Sequence, residues 1–340
     1  MEFLRWLLME DVQRVRATFS AGGPYGAPAL LGALVFAGLY YVGRRRARGR
    51  SASMRAFVRT IFAKRILLHP SSFVDLRLWT INVVVLAVAY GWLAVGNLAC
   101  RELVLAALTR AFGAHAPLAW PIWLVMAIAT LFELLAYEFG YWTAHYIFHR
   151  IPALWEFHKV HHSAEVLTTL TEMRQHPVEI IAFVNVIAVT TGSVFGAMTY
   201  LFGPGVGHFT LFNGNIALVL FLLTWGHLRH SSIWIAFTGF AGRLFQSPAH
   251  HQIHHSTDPR HFDKNLGFAL AIWDWAFGTL YIPSKEREVT QYGVGDAHGD
   301  FDSATRSLIR PFIRSGEHLA LAARKPEPAA IDAHSSQATP

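Results

Sequence analysis

Five stretches of the chain run almost without charge: residues 27–43, 78–100, 117–132, 180–202 and 209–226. A hydrocarbon layer of about 30 Å takes roughly 20 apolar residues to cross as a helix. The second and fourth runs are long enough alone, and the first, third and fifth need flanking residues. The pattern therefore predicts an all-α fold, an integral-membrane helical bundle with four to five membrane-embedded helices. From Trp120 to His149 the helical pattern continues unbroken. Thirty residues at ~1.5 Å each give about 45 Å, so the last turns of that helix are expected to project past the membrane surface. The glycine-rich segment Gly203-Pro204-Gly205-Val206-Gly207 reads as the turn between the fourth and fifth spans. Beyond about Lys285 the apolar runs stop, and the stretch after Lys325, rich in Ala, Pro, Ser and charge, is expected to be disordered. The organisation predicted is an N-terminal segment (1–26), membrane helices with a basic linker (27–115), a catalytic domain (116–283) and a polar C-terminal tail (284–340).

Composition agrees. Hydrophobic residues make up 53% of the chain and charged residues 15%, with a mean hydropathy of +0.32, which excludes an ordinary soluble domain. The net charge of +7 is concentrated: Arg44, Arg45, Arg46, Arg48 and Arg50 follow the first apolar run, and Arg55, Arg59, Lys64, Arg65 and Arg77 extend the basic connection. Beside a membrane helix such a block reads as a cytosolic anchor on anionic lipid, not as a nucleic-acid site. With it inside, the first span runs outward to inward, and every histidine cluster of the chain falls on the cytosolic side. Met1 to Arg16, interrupted by Arg5, Glu10 and Asp11, lacks the apolar stretch of a cleavable signal. The lone Cys100 gives neither a disulfide framework nor a thiolate cluster.

The chemistry lies in the histidines. His145 and His149 stand four apart; His158, His161 and His162 form HKVHH; His251, His254 and His255 form HQIHH; His176 sits in RQHPVE, and His227 and His230 in HLRH. On a helix, positions i, i+3 and i+4 share one face, so each cluster is expected to aim two or three imidazoles at one spot. Neutral imidazole is a common ligand for iron, zinc and copper, and helices meeting in a bundle can enclose two ions. The metal ligands predicted are His145, His149, His158, His161, His162, His176, His230, His251, His254 and His255, with His227 either a ligand or polar lining. His69, His115, His208, His298, His318 and His334 are isolated and expected in loops or solvent; His250 lies one residue off the triplet's face, and His261 is expected to be structural. Among the scarce carboxylates, Glu138, Glu156, Glu165, Glu172, Glu179, Asp258, Asp263 and Asp274 are candidates to orient a ligand's second ring nitrogen or to act as helix carboxylates or caps, and Glu138 and Asp274 are singled out.

The segments YWTAHYIFHR, LWEFHKVHHS, HPVE, RHSSIW and SPAHHQIHHSTDPRHFDKNLG followed by IWDWAFGTLY together resemble the fatty acid hydroxylase and sterol desaturase superfamily, from about Glu138 to Tyr281. The resemblance implies two iron ions on the cytosolic face of a membrane domain, with zinc as a substitute that purification can introduce. It further implies a di-iron oxygenase that uses O₂ and two electrons to hydroxylate or desaturate a C–H bond of a lipid: a sterol, fatty acyl, sphingoid or ether lipid. Some members carry a fused cytochrome b5 domain with an HPGG motif, whereas this chain has HPSS and HPVE. The electron donor is therefore expected to be separate, a cytochrome b5, ferredoxin or reductase. The alternative is a membrane zinc-dependent lipid hydrolase. Against it, no HExxH occurs in the chain, and a catalytic zinc uses three protein ligands plus water.

Overall fold

The computed structural model describes residues 25–323 except Thr290, together with Gln13, Arg16, Phe19, Ser20 and Gly23; the side chains of residues 86–95, Asp296 and His298 fall outside that description. Expectations for most of segment 1–26, for His334 and for disorder after Lys325 lie outside the described residues.

Helix α1 (Ala27–Ala47) ends in Arg44, Arg45 and Arg46, cations placed where the helix dipole favours them. Two short helices follow, α2 (Met54–Ile61) and α3 (Lys64–Leu67), then α4 (Pro70–Phe112), α5 (Ile122–Arg150), α6 (Pro152–His162) and α7 (Pro177–Phe202). Proline sets the boundaries. Pro70, Pro152 and Pro177 each open a helix, where the missing N–H costs nothing, and Pro152 also turns Ile151 out of the helical region, ending α5.

Helices α4 and α7 run parallel and very close. A Cβ on Gly192 would lie 2.5 Å from the Asn97 carbonyl oxygen, and one on Gly196 2.6 Å from that of Arg101. These two glycines, four residues apart, let the backbones touch as small residues do between membrane helices, and Asn97 adds a 2.8 Å hydrogen bond to Thr191. Helix α5 packs antiparallel to α7: Gly140 meets Ile187, Phe148 packs on Phe183, and Val125 and Ala129 on Met198. The C-terminus of α5 and the N-termini of α4 and α7 therefore share one end of the bundle.

Helices α1, α5 and α7 are long and apolar enough to cross a membrane. The fifth apolar run is not. It folds as a two-residue hairpin, β1 (Thr210–Leu211) with β2 (Gly214–Asn215), and a nine-residue helix α8 (Ile216–Thr224). At ~1.5 Å per residue α8 spans about 13 Å, well short of the hydrocarbon layer. It is wedged beside α1, where the Gly32 Cα faces the Leu223 carbonyl.

A cap covers the shared end of the bundle, built from α6, a 3₁₀ turn (Thr169–Met173), α9 (Gly239–Leu244), α10 (Pro248–His254) and α11 (Ile272–Phe277). Arg174 ties it together. Its buried guanidinium pairs with Asp75 of α4 at 2.9 Å and donates to the Val160, Ser71 and Phe301 carbonyls. Residues 284–340 are not all tail: α12 (Ala304–Ala323) sets Phe312 against Phe157 and His176. Its apolar positions recur at helical spacing among arginines, so no continuous apolar run marks it. The arginine end of α1 reaches the same cap, where Arg44 bonds Glu286 at 3.1 Å and the Trp234 carbonyl at 3.4 Å.

Candidate metal centre

Nine imidazoles gather in two adjoining groups. His145, His149, His158, His162 and His254 form one, and His161, His230, His251 and His255 the other; within each, one candidate ligand atom per residue lies within 4.8 Å of all the rest. Each HxxHH triplet is divided between the groups, instead of pointing at one spot. The reason is angular. At about 100° per residue, position i+4 lies some 40° to one side of i and i+3 some 60° to the other. His158 and His162 therefore go to the first group and His161 to the second, while His251 and His255 go to the second and His254 to the first. Two helices exchange one histidine each, and the groups share a border: the rings of His162 and His255 are 4.7 Å apart.

One short loop orients most of the first group. His149 Nδ1 donates to Asp263 at 3.1 Å, His254 Nδ1 to the Lys264 carbonyl at 3.0 Å and His145 Nδ1 to the Leu266 carbonyl at 2.7 Å. Asp263 and Asn265 sit at φ of 56° and 58°, a left-handed conformation Asp and Asn tolerate, which turns the loop back over α5. His158 Nδ1 donates to Glu179 at 2.8 Å and, in the second group, His230 Nδ1 to Glu172 at 2.9 Å. Carbonyls and ionised carboxylates only accept, so His145 and His254 carry the proton on Nδ1, as do His149, His158 and His230 opposite an ionised partner, and each ring then presents a lone pair at Nε2.

That donor set fits a cation. The Nε2 atoms of His145 and His158 face each other at 3.0 Å, yet both protons are committed elsewhere, so two lone pairs oppose each other. His149 Nε2 and His254 Nε2 are buried without a hydrogen-bond partner. Burial first, then neighbouring imidazoles, holds His158, His162, His251 and His255 well below the ordinary histidine range, leaving them neutral at pH 7 in the form that binds metal.

Residues 130–279 match the fatty acid hydroxylase family model. The chain is 27% identical over 196 residues to an alkylglycerol monooxygenase of Danio rerio (57% of this chain, 38% of the relative). It is 29% identical over 198 residues to an ornithine lipid hydroxylase of Rhizobium tropici (58% and 54%). Over these residues the chain is similar to members of the fatty acid hydroxylase and sterol desaturase superfamily. It is also 28% identical over 193 residues to a very-long-chain aldehyde decarbonylase of Oryza sativa (52% and 28%). The chain spans about half or less of the length of these relatives. No solved structure matches.

Two predicted ligands stand outside both groups. His176 caps α7: its Nδ1 accepts from the Val178 N–H at 3.1 Å and its Nε2 donates to the Leu308 carbonyl at 3.1 Å, so no lone pair is left for a metal. His227 lies in a 3₁₀ turn (Gly226–Leu228) that ends before His230, so no continuous helical face joins the two, and it packs beside Tyr25. His250 is held by Ser247 and the Gly242 carbonyl.

Neither Glu138 nor Asp274 touches an imidazole. Asp274 accepts from the backbone N–H groups of Leu266 and Gly267, both at 2.8 Å, and Glu138 from those of Ala269 and Leu270, both at 3.0 Å. They hold the backbone on which the acceptor loop is built. The direct partners are Glu172, Glu179 and Asp263, which local spacing does not distinguish because each meets its histidine only through the tertiary fold. In Asp274→Asn an amide N–H₂ would oppose one of those backbone donors. We expect metal affinity, measured by chelator competition, to fall, because the loop that offers the Lys264 and Leu266 carbonyls to His254 and His145 loses an anchor. Unchanged iron affinity with a lowered melting temperature would leave Asp274 a purely structural role.

Proposed function

We propose that this chain is a membrane di-iron oxygenase that hydroxylates or desaturates an unactivated C–H bond of a lipid. The observation that carries the reading is the pair of adjoining, buried, all-imidazole groups at one end of membrane-length helices. His145, His149, His158, His162 and His254 would hold one iron, and His161, His230, His251 and His255 the other. Iron bound there supplies the redox chemistry by which O₂, two electrons and two protons oxidise the C–H bond, with water as the second product.

The chain's own residues prepare the site. Neutral, buried imidazoles bind without having to shed protons, and Asp263, Glu172, Glu179 and the carbonyls of Lys264 and Leu266 fix the Nδ1 protons outward. A cavity of about 530 Å³ reaches His149, His162 and His254 from the cap, past Lys159, Ser256 and Asp263. The exposed Arg46, Arg48 and Arg50 on that same end support a cytosolic side for the histidines by the positive-inside rule, where a separate electron donor would dock. Relatives named for alkylglycerol and ornithine lipid support a lipid bearing a linear chain. Residues 116–283 would form the catalytic domain.

Elemental analysis of detergent-purified protein from iron-replete cells is the test. One iron for each of the two groups is expected, together with a new oxidised lipid in cells carrying the gene. One zinc and no iron, even after anaerobic iron reconstitution, would replace this reading with a zinc-dependent lipid hydrolase.

A further inference from the structure

We infer that the hydrocarbon chain of the lipid enters a second cavity of about 550 Å³, one wall of which comes from residues 19–79, and that this wall selects the chain. The inference rests on the oxygenase reading and names where its substrate lies. Leu34 of α1, Ile61 and Ile66 of the α2–α3 pair, Trp79 of α4, Leu170 and His230 all line it. His230 belongs to the four-imidazole group, so the cavity touches the metal centre.

Three features suit a linear apolar chain. Among the described residues no Asp, Glu, Lys or Arg lines the walls, whose polar groups are Ser and Thr hydroxyls, the Tyr25 hydroxyl, the Trp79 indole N–H and two imidazoles, and buried apolar surface stabilises a bound chain by about 25 cal/mol per Å². Exposed apolar side chains belong to the lining as well, with Leu30, Phe62 and Leu67 at 36%, 52% and 45% exposure, as a mouth facing lipid would have. The cap-side cavity, by contrast, is edged by the charged Lys159 and Asp263.

The mouth also has a floor suited to a bilayer surface. Helix α2 buries none of its residues and mixes Arg55 and Arg59 with Phe57, Val58 and Ile61, the make-up of an amphipathic helix lying at the interface. Its C-terminal end is pinned to the loop that follows His230, since Ser232 Oγ donates to the Thr60 carbonyl at 3.1 Å. A lipid tail can slide in while its polar head stays level with the exposed Lys64 and Arg65. Because residues 19–79 lie outside the family match at 130–279, relatives with different N-terminal regions would present different walls to a similar metal centre.

Photo-crosslinking tests this on full-length, iron-loaded protein in phosphatidylcholine nanodiscs. The probe is a phosphatidylcholine with a diazirine at the end of one acyl chain. Adducts mapped by mass spectrometry are expected on Leu34, Ile66 and Leu170, and Leu34→Trp should lower the Leu170 adduct at least tenfold while bound iron stays constant. Adducts confined to outward-facing Val35, Leu131 and Val189, or a Leu170 adduct indifferent to Leu34→Trp, would overturn the inference. Iron-loaded protein with only outward adducts faults the cavity and leaves the oxygenase reading. Protein that takes no iron yet gives the inner adducts faults the oxygenase reading and leaves the cavity.

Discussion

His161→Ala will abolish turnover and remove one of the two metal ions while the other stays. The expectation follows from the way the triplets divide. His161 is the only α6 residue in the four-imidazole group, beside His230, His251 and His255, whereas His158 and His162 on the same helix serve the five-imidazole group. His254→Ala is not the mirror case: it takes the α10 ligand from the five-imidazole group but leaves four imidazoles there, as many as the other group has, with His251 and His255 in place. On the proposed di-iron reading, His161→Ala should bind half the iron of the parent and His254→Ala should hold its affected iron more weakly, both with little or no product, because the oxidation would draw on both ions. Elemental analysis and chelator competition beside an activity assay read these effects. Full iron content in His161→Ala, or parental iron affinity in His254→Ala, would mean that histidine is not a ligand. Loss of all iron from both would mean that the groups fill only together.

The division of the triplets was within reach of the spacing, since it follows from carrying the 100° step through to i+3 and i+4. Treating all three positions as one face hides it. The membrane helices were legible for a plain reason: uncharged runs must be buried or in lipid, and Pro70, Pro152 and Pro177 punctuate them. Hydropathy alone misreads residues 209–226, because it does not register that Gly214 and Asn215 make a hairpin strand and that Gly226 begins a 3₁₀ turn. His176 carried a signal that points away from metal, as a polar residue before a proline that opens a helix is placed to cap it. The carboxylate partners Glu172, Glu179 and Asp263 were legible only as three of eight candidates near the clusters, and the two singled out were not among them. Glu179 meets a histidine 21 positions earlier and Asp263 one 114 positions earlier, and only the fold brings such pairs together. Glu138 and Asp274 drew notice because they are acids in apolar surroundings, and the structure gives the reason: backbone N–H groups of residues 266–270 converge on them.

Glu172→Ala will cost stability and metal together, since this one carboxylate serves two partners. One oxygen pairs with Arg229 at 2.6 Å and the other accepts from His230 Nδ1 at 2.9 Å. The Arg229 side chain is 1% exposed and lies 4.3 Å from the centre of the Phe268 ring. Its remaining acceptors, the Tyr141 hydroxyl and the Gly226 and Phe268 carbonyls, the carbonyls at 3.3 and 3.4 Å, are neutral groups that do not balance its charge. A buried charge stripped of its partner destabilises by about 3–5 kcal/mol, and a ligand stripped of its orienting carboxylate loses about 10–100-fold in metal affinity. Glu172→Gln separates the two effects: its carbonyl can still accept from one partner, but the charge opposite Arg229 is gone. The pairing also fixes how acid acts. Burial pushes the Glu172 carboxyl up, but Arg229 and then His230 outweigh it and hold it below the ordinary carboxylate range. A carboxyl depressed in the folded state contributes its stability above the unfolded value of about 4.3 and loses it as pH falls toward the folded one. Between neutrality and that unfolded value, the melting temperature of Glu172→Ala should therefore stay below that of the parent by a constant amount, and on further acidification the gap should close. A gap that closes already between pH 7 and 6 would mean that the Glu172–Arg229 pair does not hold the cap.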